Sequence, residues 1–239
     1  MFQGFTDETF EFFMAIAFNN NTEFFHANHD WYLRAVREPC LQLAAALSDA
    51  VEAVDDQLER RPNRVVSRIN RDLRFSRDKS PYRDLMWLSF HRPSPERYFA
   101  PEMYFEINAN GASFGMGFYE EDRARMNGLR RRLRTEPEAF LKLWRPLEED
   151  FSLSMRSYKR LKLPEDLHPE ARVWYPVRSF YLSRDLSDFS LLKSPDLADA
   201  LAQGFRRFAP FHKYIASITP EPDEDGTKTL PDRIYVHSE

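Results

Sequence analysis

The sequence lacks several features that define large protein classes. Cys40 is the only cysteine in 239 residues, so no intramolecular disulfide can form. No run of 18 apolar residues occurs, which argues against a membrane-spanning helix. Residues 1–13 lack the basic and apolar blocks of a secretory signal. We therefore predict a cytoplasmic protein that does not enter a membrane.

Glycine is also scarce. Only seven glycines occur, and none forms the glycine-rich loop of a dinucleotide-binding fold or of a P-loop. Gly111, Ser113 and Gly115 match the spacing of a hydrolase nucleophile elbow, but a strand-like run follows them instead of the required helix. The sequence therefore argues against a dinucleotide-binding fold, a P-loop and a hydrolase nucleophile elbow. We also predict no cofactor.

The chain has no strong excess of charge of one sign. The formal net charge is −4 and the sequence pI is about 5.9, so the whole chain has no positive field that would attract nucleic acid. Arg130–Arg132 and Arg134 form a local basic cluster that Glu136 and Glu138 can offset. We interpret this cluster as a solvated helix face and predict that nucleic acid is not a partner.

Apolar residues are abundant, and their spacing predicts the fold. Hydrophobic residues make up 42% of the chain, which is typical of a packed core. Residues 1–58 show helical spacing, whereas 59–119 contain short β-branched and aromatic runs such as Val65–Val66. Asn110-Gly111 predicts a hairpin turn because both residues tolerate positive φ. Ser194-Pro195-Asp196 predicts the start of a last helix.

These patterns indicate an α+β fold. We predict a mainly antiparallel sheet flanked by helices, with a helical N-terminal segment and a C-terminal helix. No internal repeat and no long Gly/Ser-rich or Pro-rich linker divides the sequence. We therefore predict a single α+β domain over residues 1–220 and a loosely ordered polar tail over 221–239.

One short histidine pattern has the spacing of metal ligands. Glu23, His26 and His29 follow one another at steps of three, so a helix places them on one face. A zinc site on a helix usually adds a ligand from elsewhere and a supporting second shell. We interpret the three residues as a solvated polar face and predict no metal.

The most unusual segment is 68–83, which contains six cations and two acids. The planar fork of arginine binds carboxylate or phosphate groups bidentately, and hydroxyl groups add further donors. The segment therefore predicts that a small anionic or phosphorylated ligand binds to an Arg/Lys-rich loop. The candidate ligand-binding residues are Arg68, Arg71, Arg74, Ser76, Lys79, Tyr82 and Arg83.

The same segment allows a second interpretation. Asp72 and Asp78 can pair with neighbouring arginines, which would make the segment an internal salt-bridge network in a non-catalytic interaction or scaffold protein. The two hypotheses differ in whether the guanidinium groups have carboxylate partners. If the protein is an enzyme, Asp72, Asp78 and His168 are the candidate acid or base groups, but the residues assign no reaction class and name no protein partner.

Short motifs occur in a fixed order along the chain. They are Phe2-Gln3-Gly4-Phe5, Asn19-Asn20, Glu23-Phe24-Phe25, Arg68-Ile69, Arg71-Asp72, Arg74-Phe75-Ser76-Arg77-Asp78-Lys79-Ser80-Pro81-Tyr82-Arg83, Tyr104-Phe105-Glu106-Ile107, Gly115-Met116-Gly117-Phe118-Tyr119, Lys159-Arg160 and His168-Pro169-Glu170. In these motifs the sequence resembles the domain-of-unknown-function 2461 family of bacteria and fungi. The resemblance implies a single full-length domain and the importance of the basic segment, but no activity, cofactor or substrate. His26 and His29 belong to none of the motifs, which argues further against a metal site.

Overall fold

The N-terminal part of the protein is helical, as the spacing of its apolar residues predicts. The computed structural model describes residues 1–74, 78–93, 101–118 and 120–222. A π-helical turn, Leu33–Arg37, joins the third helix to the fourth. The helices that precede the sheet are α1 (Asp7–Phe18), α2 (Thr22–Ala27), α3 (His29–Tyr32), α4 (Glu38–Ala46), α5 (Ser48–Val54) and α6 (Pro62–Val65).

The hydroxyl group of Thr9 joins α1 to the π-helical turn. This hydroxyl accepts a hydrogen bond from the backbone N–H of Thr6 and donates one to the carbonyl oxygen of Ala35 at 2.6 Å. Ala35 lies four residues before Pro39, and proline has no N–H for the usual α-helical bond to that carbonyl. The buried hydroxyl of Thr9 therefore donates a hydrogen bond to the carbonyl oxygen of Ala35, which lacks its usual α-helical donor.

The sheet is antiparallel throughout. Its strand order is β1-β2-β3-β5-β4, and each neighbouring pair runs antiparallel. The prediction of a mainly antiparallel sheet flanked by helices is confirmed. The strands are β1 (Leu85–Phe90), β2 (Glu102–Asn108), β3 (Gly111–Gly117), β4 (Ser152–Ser157) and β5 (Val177–Leu186).

Two local predictions differ from the structure. Asn108 pairs with Gly111, so the turn of the β2–β3 hairpin is Ala109–Asn110, and Asn110 does not adopt positive φ. Gly111 does, with φ of 140°. The prediction of a strand at Val65–Val66 is wrong, because Pro62 at the first turn starts the short helix α6 there. Val66 joins the sheet only as an isolated bridge to Leu88.

The remaining helices cover one face of the sheet. On β2, Met103, Phe105 and Ile107 are buried on this face, while the alternate residues are half-buried or polar. Gly204 brings α10 into close contact with β3, since a Cβ there would lie 2.3 Å from the ring of Phe114. The helices are α7 (Arg123–Thr135), α8 (Pro137–Glu148), α9 (Phe189–Leu192) and α10 (Asp196–Ala216), and a 3₁₀ turn covers Pro169–Val173.

Buried apolar residues from the helices and the sheet form one core cluster. Cys40 is fully buried in it, and burial raises the pKa of its thiol to about 12. Among the described residues, no helix is both long enough and apolar enough to span a bilayer. The single domain over 1–220 stays a prediction, and most of the predicted tail, 223–239, lies outside the described residues.

Candidate functional site

The described residues 68–74 and 78–83 form two paired arms, named here the basic hairpin, next to the start of β1. Asn70 and Tyr82 form an isolated antiparallel bridge. The N–H of Arg71 donates to the carbonyl oxygen of Pro81 at 2.9 Å, and the N–H of Arg83 donates to that of Ile69 at 2.8 Å. Residues 75–77, including the candidate Ser76, lie outside the described residues. The two arms of the hairpin are therefore held by backbone hydrogen bonds.

The hairpin is anchored to the N-terminal helices. The ring of Tyr82 is buried, with 4% of the residue exposed, and it stacks on Phe25 at a centroid distance of 4.1 Å. The side chain of Asn20 accepts a hydrogen bond from the N–H of Tyr82 at 3.0 Å and donates one to its carbonyl oxygen at 2.9 Å. Tyr82 therefore fixes the hairpin to the body of the protein.

Two of the predicted arginines pair with the two aspartates of the hairpin. Arg71 forms an ion pair with Asp78 at 3.2 Å. Arg74 binds Asp72 in bidentate fashion, with Nε–Oδ1 and Nη2–Oδ2 distances of 3.0 and 2.7 Å. These pairings are the ones that the salt-bridge hypothesis requires of Arg71 and Arg74.

The other cations of the hairpin have different surroundings. Lys79 donates to the carbonyl oxygen of Leu73 at 3.0 Å. One nitrogen of Arg83 donates to the carbonyl oxygens of Arg68 and Asn70, and the guanidinium carbon lies 4.5 Å from the ring centroid of Trp87. Within the described residues the exposed side chain of Arg68 makes no hydrogen bond and no ion pair.

The pKa values of the two hairpin aspartates limit their chemistry. The hydrogen bond from Arg74 lowers the pKa of Asp72 to about 2. The backbone N–H of Ser80 is the main cause of a lowered pKa at Asp78, and Arg71 adds to it. Both carboxylates are ionised at neutral pH, so neither is suited to donate a proton.

The third candidate acid or base, His168, has its contacts elsewhere in the fold. Its Nδ1 accepts from the backbone N–H of Glu170 at 3.3 Å, and its Nε2 lies 3.4 Å from a carboxylate oxygen of Glu138 on α8. In the part of the chain that the structure describes, no hydrogen bond or ion pair connects His168 with the basic hairpin. The structure does not bring His168 together with Asp72 and Asp78.

A polar face of the sheet adjoins the hairpin, and sequence reasoning missed it. Glu106 lies directly opposite Trp87, whose ring contacts Arg83. Burial raises the pKa of Glu106, and the nearby charge of Asp84 adds to the effect. Among the described residues, Glu106 has neither a hydrogen bond nor an ion pair from its side chain. The motif Tyr104-Phe105-Glu106-Ile107 contained the signal, since strand alternation separates its acid from its buried apolar residues.

A half-buried carboxylate without a partner carries a free-energy cost, which is why such groups cluster at functional sites. Glu102 provides a contrast on the same strand, because Ser89 donates to it at 2.5 Å and Tyr181 at 3.2 Å.

No group of three or more potential metal ligands occurs among the described residues, which include Glu23, His26 and His29.

Comparison with protein families gives a match over most of this architecture. Residues 8–214 match the family described as conserved hypothetical protein (DUF2461). The chain belongs to the DUF2461 family. The match runs from α1 into α10, so the DUF2461 domain includes the basic hairpin, its anchor and the whole sheet. No curated protein matches the sequence.

Proposed function

We propose that this DUF2461 protein binds a small anionic ligand, such as a phosphate ester, at the basic hairpin through Arg68 and Lys79. The observation that supports the proposal is the lack of a carboxylate partner for either side chain among the described residues. Both side chains are exposed. An exposed guanidinium and an exposed ammonium group are the donors that proteins use for phosphate.

The remaining charges of the hairpin support the same proposal. The described residues 68–74 and 78–83 contain five cations and two acids, so pairing with Asp72 and Asp78 leaves an excess of positive charge. The pairs Arg71–Asp78 and Arg74–Asp72 fix the backbone on which Arg68 and Lys79 stand. A fixed backbone lowers the entropy cost of binding. Ser76 remains a predicted ligand-binding residue. The ring of Tyr82 is buried, so we assign Tyr82 to anchoring the hairpin and not to binding the ligand.

A second candidate function is that of a non-catalytic interaction or scaffold protein. The two Arg–Asp pairs favour it, because they give Arg71 and Arg74 carboxylate partners within the hairpin. In this case the hairpin is a rigid arm, and its cations have no ligand to bind. Variants of the paired and unpaired cations separate the two candidates.

The test is a thermal-shift titration of the full chain with glycerol 3-phosphate and pyrophosphate, with glycerol as the neutral control. A specific ligand at about 100 times its Kd stabilises the folded state by about 2.7 kcal/mol, which raises the Tm by roughly 5–10 °C for a chain of this size. We expect this shift in the native protein, and we expect its loss in Arg68→Ala and Lys79→Ala.

Arg64→Ala is the matched control, since Arg64 is an exposed arginine of α6 that forms no ion pair within the described residues. It should retain the full shift. If Arg68→Ala and Lys79→Ala respond to the anions as the native protein does, the proposal is wrong. A scaffold role is supported if no anion changes the Tm while Arg71→Ala lowers it.

A further inference from the structure

A second basic region lies away from the hairpin, in an open cleft of about 900 Å³. Its lining includes Arg130, Arg131 and Arg134 of α7 together with Tyr158, Leu161 and Tyr175. This volume lies within the range of small-molecule sites, ~300–1,000 Å³. None of the lining residues belongs to the basic hairpin, so this site is independent of the one proposed above.

Arginine and tyrosine side chains are stacked at this cleft. The guanidinium carbons of Arg130 and Arg178 each lie 5.1 Å from the ring centroid of Tyr158. Arg130 is held by the carbonyl oxygens of Tyr175 at 2.8 Å and Val177 at 2.7 Å. These contacts hold positive charge and aromatic surface side by side in a fixed arrangement.

The cations around the cleft outnumber the acids. Arg131 and Arg134 have side chains that are 59% and 52% exposed, and the Arg134–Asp166 pair is long at 4.0 Å. The turn between the lining residues Tyr158 and Leu161 adds Lys159 and Arg160, and Lys162 follows it. In the described part of the chain these three exposed cations form no ion pair.

One carboxylate already occupies part of the cation cluster. Glu221 forms an ion pair with Arg131, and the backbone of Glu221 is held by a hydrogen bond to the carbonyl oxygen of Ala124. The Glu221 side chain is 32% exposed, so water reaches the pair and its attraction is weak. An anion with more charge than one carboxylate can therefore displace Glu221 from Arg131.

We propose that this cleft binds a phosphate ester that carries an aromatic base, with the size of a mononucleotide. Arg131 and Arg134 contact the phosphate groups, and Lys159 and Lys162 add to the attraction. Tyr175 and Leu161 provide the surface against which the base packs. Guanidinium groups suit the phosphate because they donate two parallel hydrogen bonds, and the volume of the cleft accommodates base, sugar and phosphate together.

The test is isothermal titration calorimetry with ADP, pyrophosphate and adenosine of the full chain that carries Arg68→Ala, because this change removes the anion site proposed at the basic hairpin. We expect ADP to bind saturably, and pyrophosphate and adenosine to bind at least about tenfold more weakly, because each contacts only part of the cleft. Arg134→Ala and Lys162→Ala should each weaken ADP binding by about tenfold. Glu221→Gln should strengthen it by about threefold, since the competing charge is removed.

Two controls accompany these variants. Arg206→Ala removes an exposed arginine of α10 that has no ion pair among the described residues, and it should leave the affinity unchanged. Because every titration is made in the Arg68→Ala chain, the measured affinity belongs to the cleft and not to the basic hairpin. The exposed side chain of Lys162 makes no hydrogen bond and no ion pair within the described residues, so its variant should fold normally.

Several outcomes would overturn the proposal. Absence of saturable ADP binding at millimolar concentration excludes the site. Equal affinity for pyrophosphate and ADP excludes a role for the base, and equal weakening in Arg206→Ala excludes specific contacts by α7. Binding of a single-stranded oligonucleotide without binding of ADP would replace the small-molecule ligand by nucleic acid.

Discussion

The side chain of Asn20 makes two hydrogen bonds with the backbone of Tyr82, at 3.0 Å from its N–H and 2.9 Å to its carbonyl oxygen. The amide thus pairs with Tyr82 as a neighbouring strand would. The two residues lie 62 positions apart, so this contact ties the basic hairpin to the loop that follows α1.

We predict that Asn20→Ala destabilises the protein by about 2 kcal/mol, because two hydrogen bonds are lost at about 1 kcal/mol each. Urea unfolding followed by circular dichroism measures this change. Asn63→Ala is the matched control, since Asn63 is exposed and its side chain makes no hydrogen bond among the described residues. A similar loss in both variants would show that the amide of Asn20 has no special role.

Much of the fold could be predicted from local patterns. The strands around Asn110-Gly111 and the helix after Ser194-Pro195-Asp196 are confirmed, because hydrophobic periodicity and turn residues act over a few positions. The prediction of a strand at Val65–Val66 was wrong because two local signals compete there. The β-branched side chains favour a strand, but Pro62 starts a helix that ends at Val65. Val66 forms only an isolated bridge with β1.

The candidate site was less predictable. Composition identifies the basic segment, but the choice of partner does not follow from it, because Arg71 pairs with Asp78 and not with the adjacent Asp72. The anchor on Asn20 depends on long-range chain closure, which local spacing does not encode. Alternation alone places Glu106 on the polar face of β2. Its position opposite Trp87, its burial and its lack of a partner among the described residues arise from the assembled sheet.

Asp55 and Arg92 form a largely buried ion pair, and we predict that it is energetically coupled. Arg92 donates through Nε at 3.0 Å and Nη2 at 2.9 Å to one oxygen of Asp55, whose side chain is 8% exposed. Arg92→Met leaves a buried carboxylate without this partner and should cost about 3 kcal/mol. Adding Asp55→Asn should restore part of that loss.

A double-mutant cycle in urea measures this coupling. The two single variants and the double variant are compared with the native protein, so losses at other contacts of Arg92 cancel. Strictly additive free energies would show that the two side chains do not stabilise each other.

Glu106 should make stability fall as pH rises. Burial holds the pKa of Glu106 above its ordinary value of 4.5, so protonation of this carboxyl favours the folded state. Its contribution is complete below pH 4.5 and is lost as the pH rises through the folded-state pKa. We predict that Glu106→Gln gains stability relative to the native protein between pH 4 and pH 7, as measured by urea midpoints. An unchanged difference across this range would contradict the prediction.

His212 should have the opposite effect. This fully buried residue of α10 contacts the carbonyl oxygen of Pro101 through Nε2 at 3.1 Å, and Nδ1 has no hydrogen-bond partner within the described residues. Burial is the main cause of a pKa below the ordinary 6.5, and the charges of Arg92 and Lys213 act in the same direction. The Pro101 carbonyl and Asp55 oppose the shift.

The sign follows from proton linkage. The unfolded chain binds a proton at His212 near pH 6.5, whereas the folded chain resists it, so stability is complete above pH 6.5 and falls as the pH decreases below it. His212→Gln keeps a donor for Pro101 but does not titrate. We therefore predict that urea midpoints of the native protein fall more steeply than those of His212→Gln between pH 7 and pH 5. Parallel profiles would mean that His212 is protonated as readily in the folded state as in the unfolded one.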